Sequence, residues 1–137
     1  MSALVIDSFA ALSWCFEDEA SPESDALFEH VRDQGAVVPG LWHLEVASVL
    51  LQAERRGRIT TGDVAMRLAL IADLPITTDN ETTARAWREI LALARAEGLT
   101  TYDAAYLELA MRRGLPLVTK DAALIAAAGR SGVAIAA

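Results

Sequence analysis

The 137-residue chain has one cysteine, one lysine and four prolines, and no apolar run near the ~18 residues that a membrane-spanning helix needs. A lone thiol cannot build a disulfide framework. Cys15 lies in an apolar helical pattern and is expected to be a reduced, buried thiol without a catalytic role. The missing apolar run excludes a helical membrane anchor, so a soluble protein is expected. The opening "MSALVIDSF" carries no basic residue and soon meets Asp7, which argues against a secretory signal and for a cytoplasmic location. Positive charge is scarce: 12 Lys+Arg stand against 19 Asp+Glu, a formal net charge of -7. That balance excludes nucleic-acid binding through the overall field and leaves only local binding. Acids crowd the first quarter, where Glu17, Asp18, Glu19, Glu23, Asp25, Glu29 and Asp33 have only Arg32 among them, whereas Arg55, Arg56 and Arg58 gather together. Solvated helix faces account for both runs; a basic rim is the functional alternative.

Linkers, repeats and low-complexity segments are also missing. The length suits one domain spanning 1–137, which would bury roughly two-thirds of the surface of its unfolded chain. Within it, short apolar runs alternate with helical patterns. "ALVID" reads as a strand and "SFAALSWCF" as a helix; a second helix is expected from Ser24 to about Asp33, after the turn "EASPES". "GAVVPG" is a brief extended segment, and "LWHLEVASVLLQAERRG" a strong helix whose arginines suit the negative end of its dipole. "TTGDVAMRLALIADL" is another helix and "LPIT" a short strand. "DNETTARAWREILALARAEG" reads as one long helix capped by Asp79 or Asn80 and closed by Gly98. In "GLTTYDAAYLELAMRRG" the helical spacing puts Tyr106, Leu107 and Ala110 on one stripe, with Glu108 and Arg112 opposite. "LPLVTKD" is a buried strand, "AALIAAAG" a helix and "GVAIAA" a last strand. Parallel neighbours need crossover connections, so this alternation predicts a three-layer α/β domain with helices on both faces of a parallel sheet.

Four acids stand out against that pattern. Asp7 ends the first strand and Asp121 follows "LPLVT", which puts both at the carboxyl edge of the sheet, where open α/β folds place ligands. Glu45 lies in the opening turns of one helix and Asp103 in the first turn of another. Each has a plain alternative: Asp7 and Asp121 could cap the helices that follow them, and Asp103 could complement a helix dipole, worth ~0.3 to 1 kcal/mol. Glu45 fits that alternative least well, because Leu41, Leu44 and Val49 surround it, only Ser48 and Gln52 share its stripe, and no lysine or arginine is within two turns. Two carboxylates ~4 Å apart repel by ~4 kcal/mol at an effective dielectric of ~20, more than the ~1 kcal/mol a cap returns. Four in one cleft therefore need a cation. An all-oxygen set without a histidine or cysteine cluster points to Mg²⁺ or Mn²⁺. His30 and His43 are expected to have surface or packing roles, and Trp14, Trp42 and Trp87 to be core or interface.

The pieces "VIDSFAALSWCFEDE", "PGLWHLEVASVL" and "LTTYDAAYLELAMRRGLPLVTKDAALIAAAGRSGV", in this order, resemble PIN-domain ribonucleases, in particular VapC-type toxins of toxin-antitoxin pairs. The likeness spans nearly the whole chain and is least marked from Arg58 to about Asp79. It implies a PIN-like α/β/α fold and a divalent-metal endoribonuclease with Asp7, Glu45, Asp103 and Asp121 as its acidic cluster. It also implies a homodimer and a cognate antitoxin that inserts a peptide near the cleft. Many relatives carry Asn where Ser48 stands, which leaves Glu45 more loosely oriented; Ser8 and Thr119 match positions of supporting hydroxyls, although both could serve as ordinary caps. The implied reaction is hydrolysis of a phosphodiester by a water that the cation acidifies, with Arg55, Arg56, Arg58 and Lys120 available for flanking phosphates. A nuclease acting on DNA and an inactive PIN-fold binding module remain as alternatives. An Asp7 phosphoacceptor site is disfavoured because no second acid follows two residues later. The apolar stripes between Leu41 and Leu74 are candidates for a dimer or antitoxin surface.

Overall fold

The structure, a computed structural model, describes residues 3–136. Strand β1 (Leu4–Ile6) is wholly buried, and the chain turns at Asp7 into α1 (Ser8–Leu12). A single 3₁₀ turn, Glu17–Glu19, precedes α2 (Pro22–Gln34), which Ser21 and Ser24 start with reciprocal capping bonds and which has proline in its first turn. Gly35 closes that helix at φ +86°, and a Cβ there would stand 3.1 Å from the Pro75 carbonyl oxygen, so this close approach of two chain segments requires glycine. Strand β2 (Ala36–Pro39) is again buried throughout and leads into α3 (Leu41–Arg55); α4 (Thr61–Ala72) opens on a second capping box, Thr60 with Asp63. Strand β3 (Ile76–Asp79) is followed by α5 (Thr82–Arg85), a π-helical turn at Ala86–Ile90, and α6 (Leu91–Glu97), which ends at Gly98 in the left-handed conformation. The last elements are α7 (Thr101–Arg113), β4 (Leu117–Val118) and α8 (Ala122–Arg130).

The strands form one parallel sheet in the order β3-β2-β1-β4, flanked by helices as a three-layer α/β/α fold. Every one of these strands therefore ends at the same edge. Helix α7 packs on β1, β2 and β4, and its residues Ala104 to Ala110 are buried in one unbroken run. Val5, Ile6, Leu50, Leu107, Leu109, Leu117 and Leu124 lie at the centre of the core with essentially no exposure. Cys15 is buried there as expected, and burial pushes its thiol up to about 11, which keeps it protonated and unreactive at neutral pH.

Several expected elements differ from those observed. The first α-helix stops at Leu12, where the backbone tightens: the Trp14 and Cys15 N–H groups bond three residues back, to Ala11 and Leu12, and Trp14, Cys15 and Phe16 pack from this turn. The second starts two residues early, at Pro22. The expected long helix runs without a break from Thr82 to Glu97 and closes at Gly98, with a π-helical turn at Ala86–Ile90 inside it, but its cap position is Glu81 and not Asp79 or Asn80. The final strand "GVAIAA" reduces to a single bridge, Leu117 with Ile135, and its terminal Ala137 lies outside the described residues. Glu108 and Arg112, expected on the solvent face of α7, are instead inside an ion network: Arg112 bonds both Glu108 and Asp79 with paired N–H groups, and Arg113 adds a third bond to Asp79. The acidic first quarter is also less solitary than its sequence implies, since Arg58 pairs with Asp18 and Glu19, and Arg67 with Glu17.

Candidate active site

Strands β2 and β3 lie on one side of β1 and β4 on the other, so the chain reverses its direction of travel across the sheet between β1 and β4. Helices leave such a point on diverging paths and open a crevice at the carboxyl ends of the two strands. Asp7 follows β1 there, and Thr119 follows β4. The Thr119 hydroxyl donates to Asp7 Oδ2 at 2.5 Å and accepts from the Asp121 backbone N–H at 3.1 Å, so one small side chain joins the two strand ends. Asp7 Oδ1 accepts from the Ala10 N–H, and Asp121 Oδ1 from that of Leu124. Both aspartates are thus helix caps, the plain alternative for each, and the Thr119 hydroxyl ties the Asp7 carboxylate to the Asp121 backbone.

Two helices bring the other acids. Trp42, buried in α3, donates its indole N–H to the Asp7 carbonyl oxygen at 3.2 Å. Glu45 is three residues on and shares its face, so the bond that anchors the indole also turns the glutamate toward Asp7. Glu45 Oε1 accepts from the Tyr106 hydroxyl at 2.5 Å. Tyr106 comes from α7, which Thr100 caps by accepting from the Asp103 N–H, so Asp103 and Tyr106 sit one turn apart on the same side of that helix.

The four carboxylates lie within each other's electrostatic reach: Asp7 feels Asp103, Asp121 and Glu45, and Asp103 feels Glu45 and Asp121. Burial raises the Asp7 carboxyl above its ordinary range, Thr119 and the Ala10 N–H oppose the rise, and Asp103 and Asp121 add to it. Glu45 is raised by burial, lowered by Tyr106 and raised again by Asp103 and Asp7. Asp103 is raised by burial and then by Asp121. Among the described residues, no lysine or arginine is within ion-pair distance of any of the four. Asp79 shows the opposite arrangement: it is as buried as Asp7, yet Arg112 and Arg113 hold its carboxyl far below the usual range. This chain pairs two buried acids, Asp79 and Glu108, with arginine, and among the described residues it leaves the four crevice acids without a cation.

Among the described residues, no three of these side chains are drawn close enough, as they stand, to hold one ion between them. The donor chemistry nevertheless fits a hard divalent ion, because the set offers carboxylate and hydroxyl oxygens and no sulfur or imidazole. Asp121 is exposed, Asp103 and Glu45 are half-buried and Asp7 is buried.

A family model for the PIN domain matches residues 4–130. The chain belongs to the PIN domain family. Among solved structures, the PIN domain is similar to the crystal structure of PAE2754 from Pyrobaculum aerophilum, at 25% identity and a TM-score of 0.69, over 92% of this chain and 79% of that one. No curated protein matches it. PIN domains are in general metal-dependent nucleases that hydrolyse phosphodiester bonds, and membership supports the same class of activity, with a divalent metal, for this chain. Among the described residues, no helix is long and apolar enough to cross a membrane.

The remaining expected residues are spread more widely over the PIN domain. Ser8 is buried beside Asp7, whereas Ser48 is exposed one turn after Glu45. Lys120 is exposed between Thr119 and Asp121; Arg55 and Arg56 are exposed at the end of α3. Arg58 stacks 3.8 Å over the Phe16 ring while it pairs with Asp18 and Glu19. Trp42 and Tyr106 were not expected at the site. Both looked like core by periodicity, and the signal that could have marked them was chemical: a buried indole N–H or phenol needs a partner, and Glu45 had none on its own helix.

Proposed function

We propose that this PIN domain is a Mg²⁺- or Mn²⁺-dependent endoribonuclease, the VapC-type toxin of a toxin-antitoxin pair, with Asp7, Glu45, Asp103 and Asp121 as its acidic site. One observation supports the reading: Asp7 and Asp103 each raise the carboxyls near them at the sheet's reversal point, and among the described residues none of the four acids has an arginine or lysine partner, while Arg112 and Arg113 pair with Asp79. Bound among them, the metal would offset the charge of a phosphodiester and lower the pKa of the attacking water. The protein's residues do the rest. Thr119 holds Asp7, Tyr106 holds Glu45, and the Thr100 cap sets the start of α7 under Asp103. As the water oxygen bonds to phosphorus and the bond to the leaving oxygen breaks, a carboxylate of the set that is not holding the metal would take the water's proton, and the leaving oxygen would take up a proton from solvent.

Lys120, beside Asp121, and Arg55 and Arg56 would hold flanking phosphates; Arg58 would first have to leave Asp18 and Glu19. The exposed Leu44 and Leu51 of α3 and Met66, Leu68 and Leu70 of α4 support a homodimer or antitoxin surface on this pair of helices. The test is cleavage of one sequence prepared as RNA and as DNA, in Mg²⁺ and in chelator, with Asp7→Asn as the inactive control, alongside a melting curve with millimolar Mg²⁺. Cleavage of RNA alone, abolished by chelator and by Asp7→Asn, with a melting temperature raised by metal, is the expected result. Cutting of DNA in place of RNA would reassign the substrate. Indifference of both readouts to metal would remove the enzyme.

A further inference from the structure

Beside the acidic crevice is a cavity of about 310 Å³ between α1, α2, the residues after β4 and the segment around Ile135. Leu27, Val118 and Ile135 make its walls mainly apolar. Thr119 is shared: it lines the cavity while its hydroxyl donates to Asp7, so an occupant is one side chain away from the acidic site. Such a volume, at the lower limit of ligand pockets, suits one flat heterocycle.

We propose that this cavity is a base subsite that receives the nucleobase next to the phosphate held at the acids; this rests on the nuclease reading above. Its polar groups set a preference. The Ser13 hydroxyl commits its proton to the Ala10 carbonyl and keeps its lone pairs for another partner, whereas the Ser24 hydroxyl donates to the Ser21 carbonyl and already accepts from the Ser21 N–H. Glu23, exposed at the rim, can only accept when ionised. An acceptor-rich rim favours a base edge with adjacent N–H donors. Guanine, with a ring N–H beside an amino group, matches a carboxylate best, and uracil, with two carbonyls around one N–H, matches worst. Lys120, which also lines the cavity and has no ion-pair partner among the described residues, sits where the linking phosphate would pass.

The test is a titration of the full chain with guanosine and with uridine, read by NMR on the Leu27 and Ile135 methyl groups, next to cleavage of RNAs that differ only at the base beside the cut. Neither nucleoside carries a phosphate, so the titration is independent of metal and of cleavage. Guanosine is expected to shift these methyls and to bind about tenfold more tightly than uridine. Leu27→Trp, which fills the cavity, should abolish the Ile135 methyl shift, and Glu23→Gln, a surface change that leaves the core intact, should narrow the preference to about twofold in both assays. No shift with either nucleoside, equal affinity for the two, or a preference untouched by Glu23→Gln would overturn the subsite even if RNA is cut. Guanosine binding without any cleavage would overturn the nuclease reading instead.

Discussion

Replacing Tyr106 with Phe isolates one bond at the site. Tyr106 is about 1% exposed, and its ring packs in the core, so Phe keeps the packing and deletes only the hydroxyl that donates to Glu45 at 2.5 Å. A hydrogen bond to a charged group is worth about 1.5 to 3 kcal/mol when its loss leaves a buried orphan. Here Glu45 is only half-buried and water can replace the phenol, which brings the expected loss to about 1 kcal/mol, or about 4 °C in melting temperature for a chain of this size. The sign with pH follows from the direction of the Glu45 shift. Its folded pKa is already above the ordinary 4.5, so its contribution to stability is fully present below that value and is lost as pH rises through the folded pKa. The phenol restrains that rise, and removing it lifts the pKa further. Chemical denaturation at several pH values should therefore show a Tyr106→Phe deficit that is largest near pH 7 and shrinks below about pH 4.5. The acid limb of metal-dependent activity should move to higher pH in the variant, because the ligand must be ionised. A deficit independent of pH, or one of several kcal/mol, would mean that the hydroxyl matters through packing. An unmoved acid limb would detach Glu45 from the chemistry.

Asp103→Asn should leave the metal-free protein equally or more stable at pH 7, since it removes a charge repelled by Asp121, Glu45 and Asp7, and should abolish Mg²⁺-dependent cleavage; a loss of about 1 kcal/mol with activity retained would make Asp103 a helix-dipole acid only. Arg112→Ala should cost about 3 to 5 kcal/mol by denaturant titration, because it strips paired bonds from the buried Asp79 and Glu108, and Arg112→Lys should restore only part of this, since one ammonium cannot fork to two carboxylates. A loss under 1 kcal/mol would show that Arg113 and solvent suffice for Asp79.

The order of strands and helices was legible because each strand is a short apolar run and each helix carries its own cap and period. Ser21, Thr60 and Thr100 act locally, and local chemistry can be read from neighbouring letters. Asp7 and Asp121 were legible in the same way, as the residues where a strand runs out. What escaped was long-range pairing. Asp79 looked like a cap because its partners, Arg112 and Arg113, are more than thirty residues away in the chain. Glu108 looked solvated because spacing assigns a polar residue to the outer face, and only the folded chain shows that Arg112, one turn on, and Arg85 let it stay inside. Glu45 announced a missing partner without naming it. Tyr106 was already counted as core, and a phenol can be core at the ring and partner at the hydroxyl. "GVAIAA" was overread for a related reason: an apolar stretch can lie against a sheet edge by a single bridge without extending it.

The double duty of Asp7 and Asp121, as caps and as crevice acids, bears on how such sites decay. A descendant that stopped cutting would still need an oxygen acceptor at positions 7 and 121 to begin α1 and α8, and asparagine would serve as well as aspartate. Acids surviving at those two places would therefore say little about a living catalyst. Positions 45 and 103 carry the message, since neither carboxylate starts a helix and the fold would gain by discarding both charges.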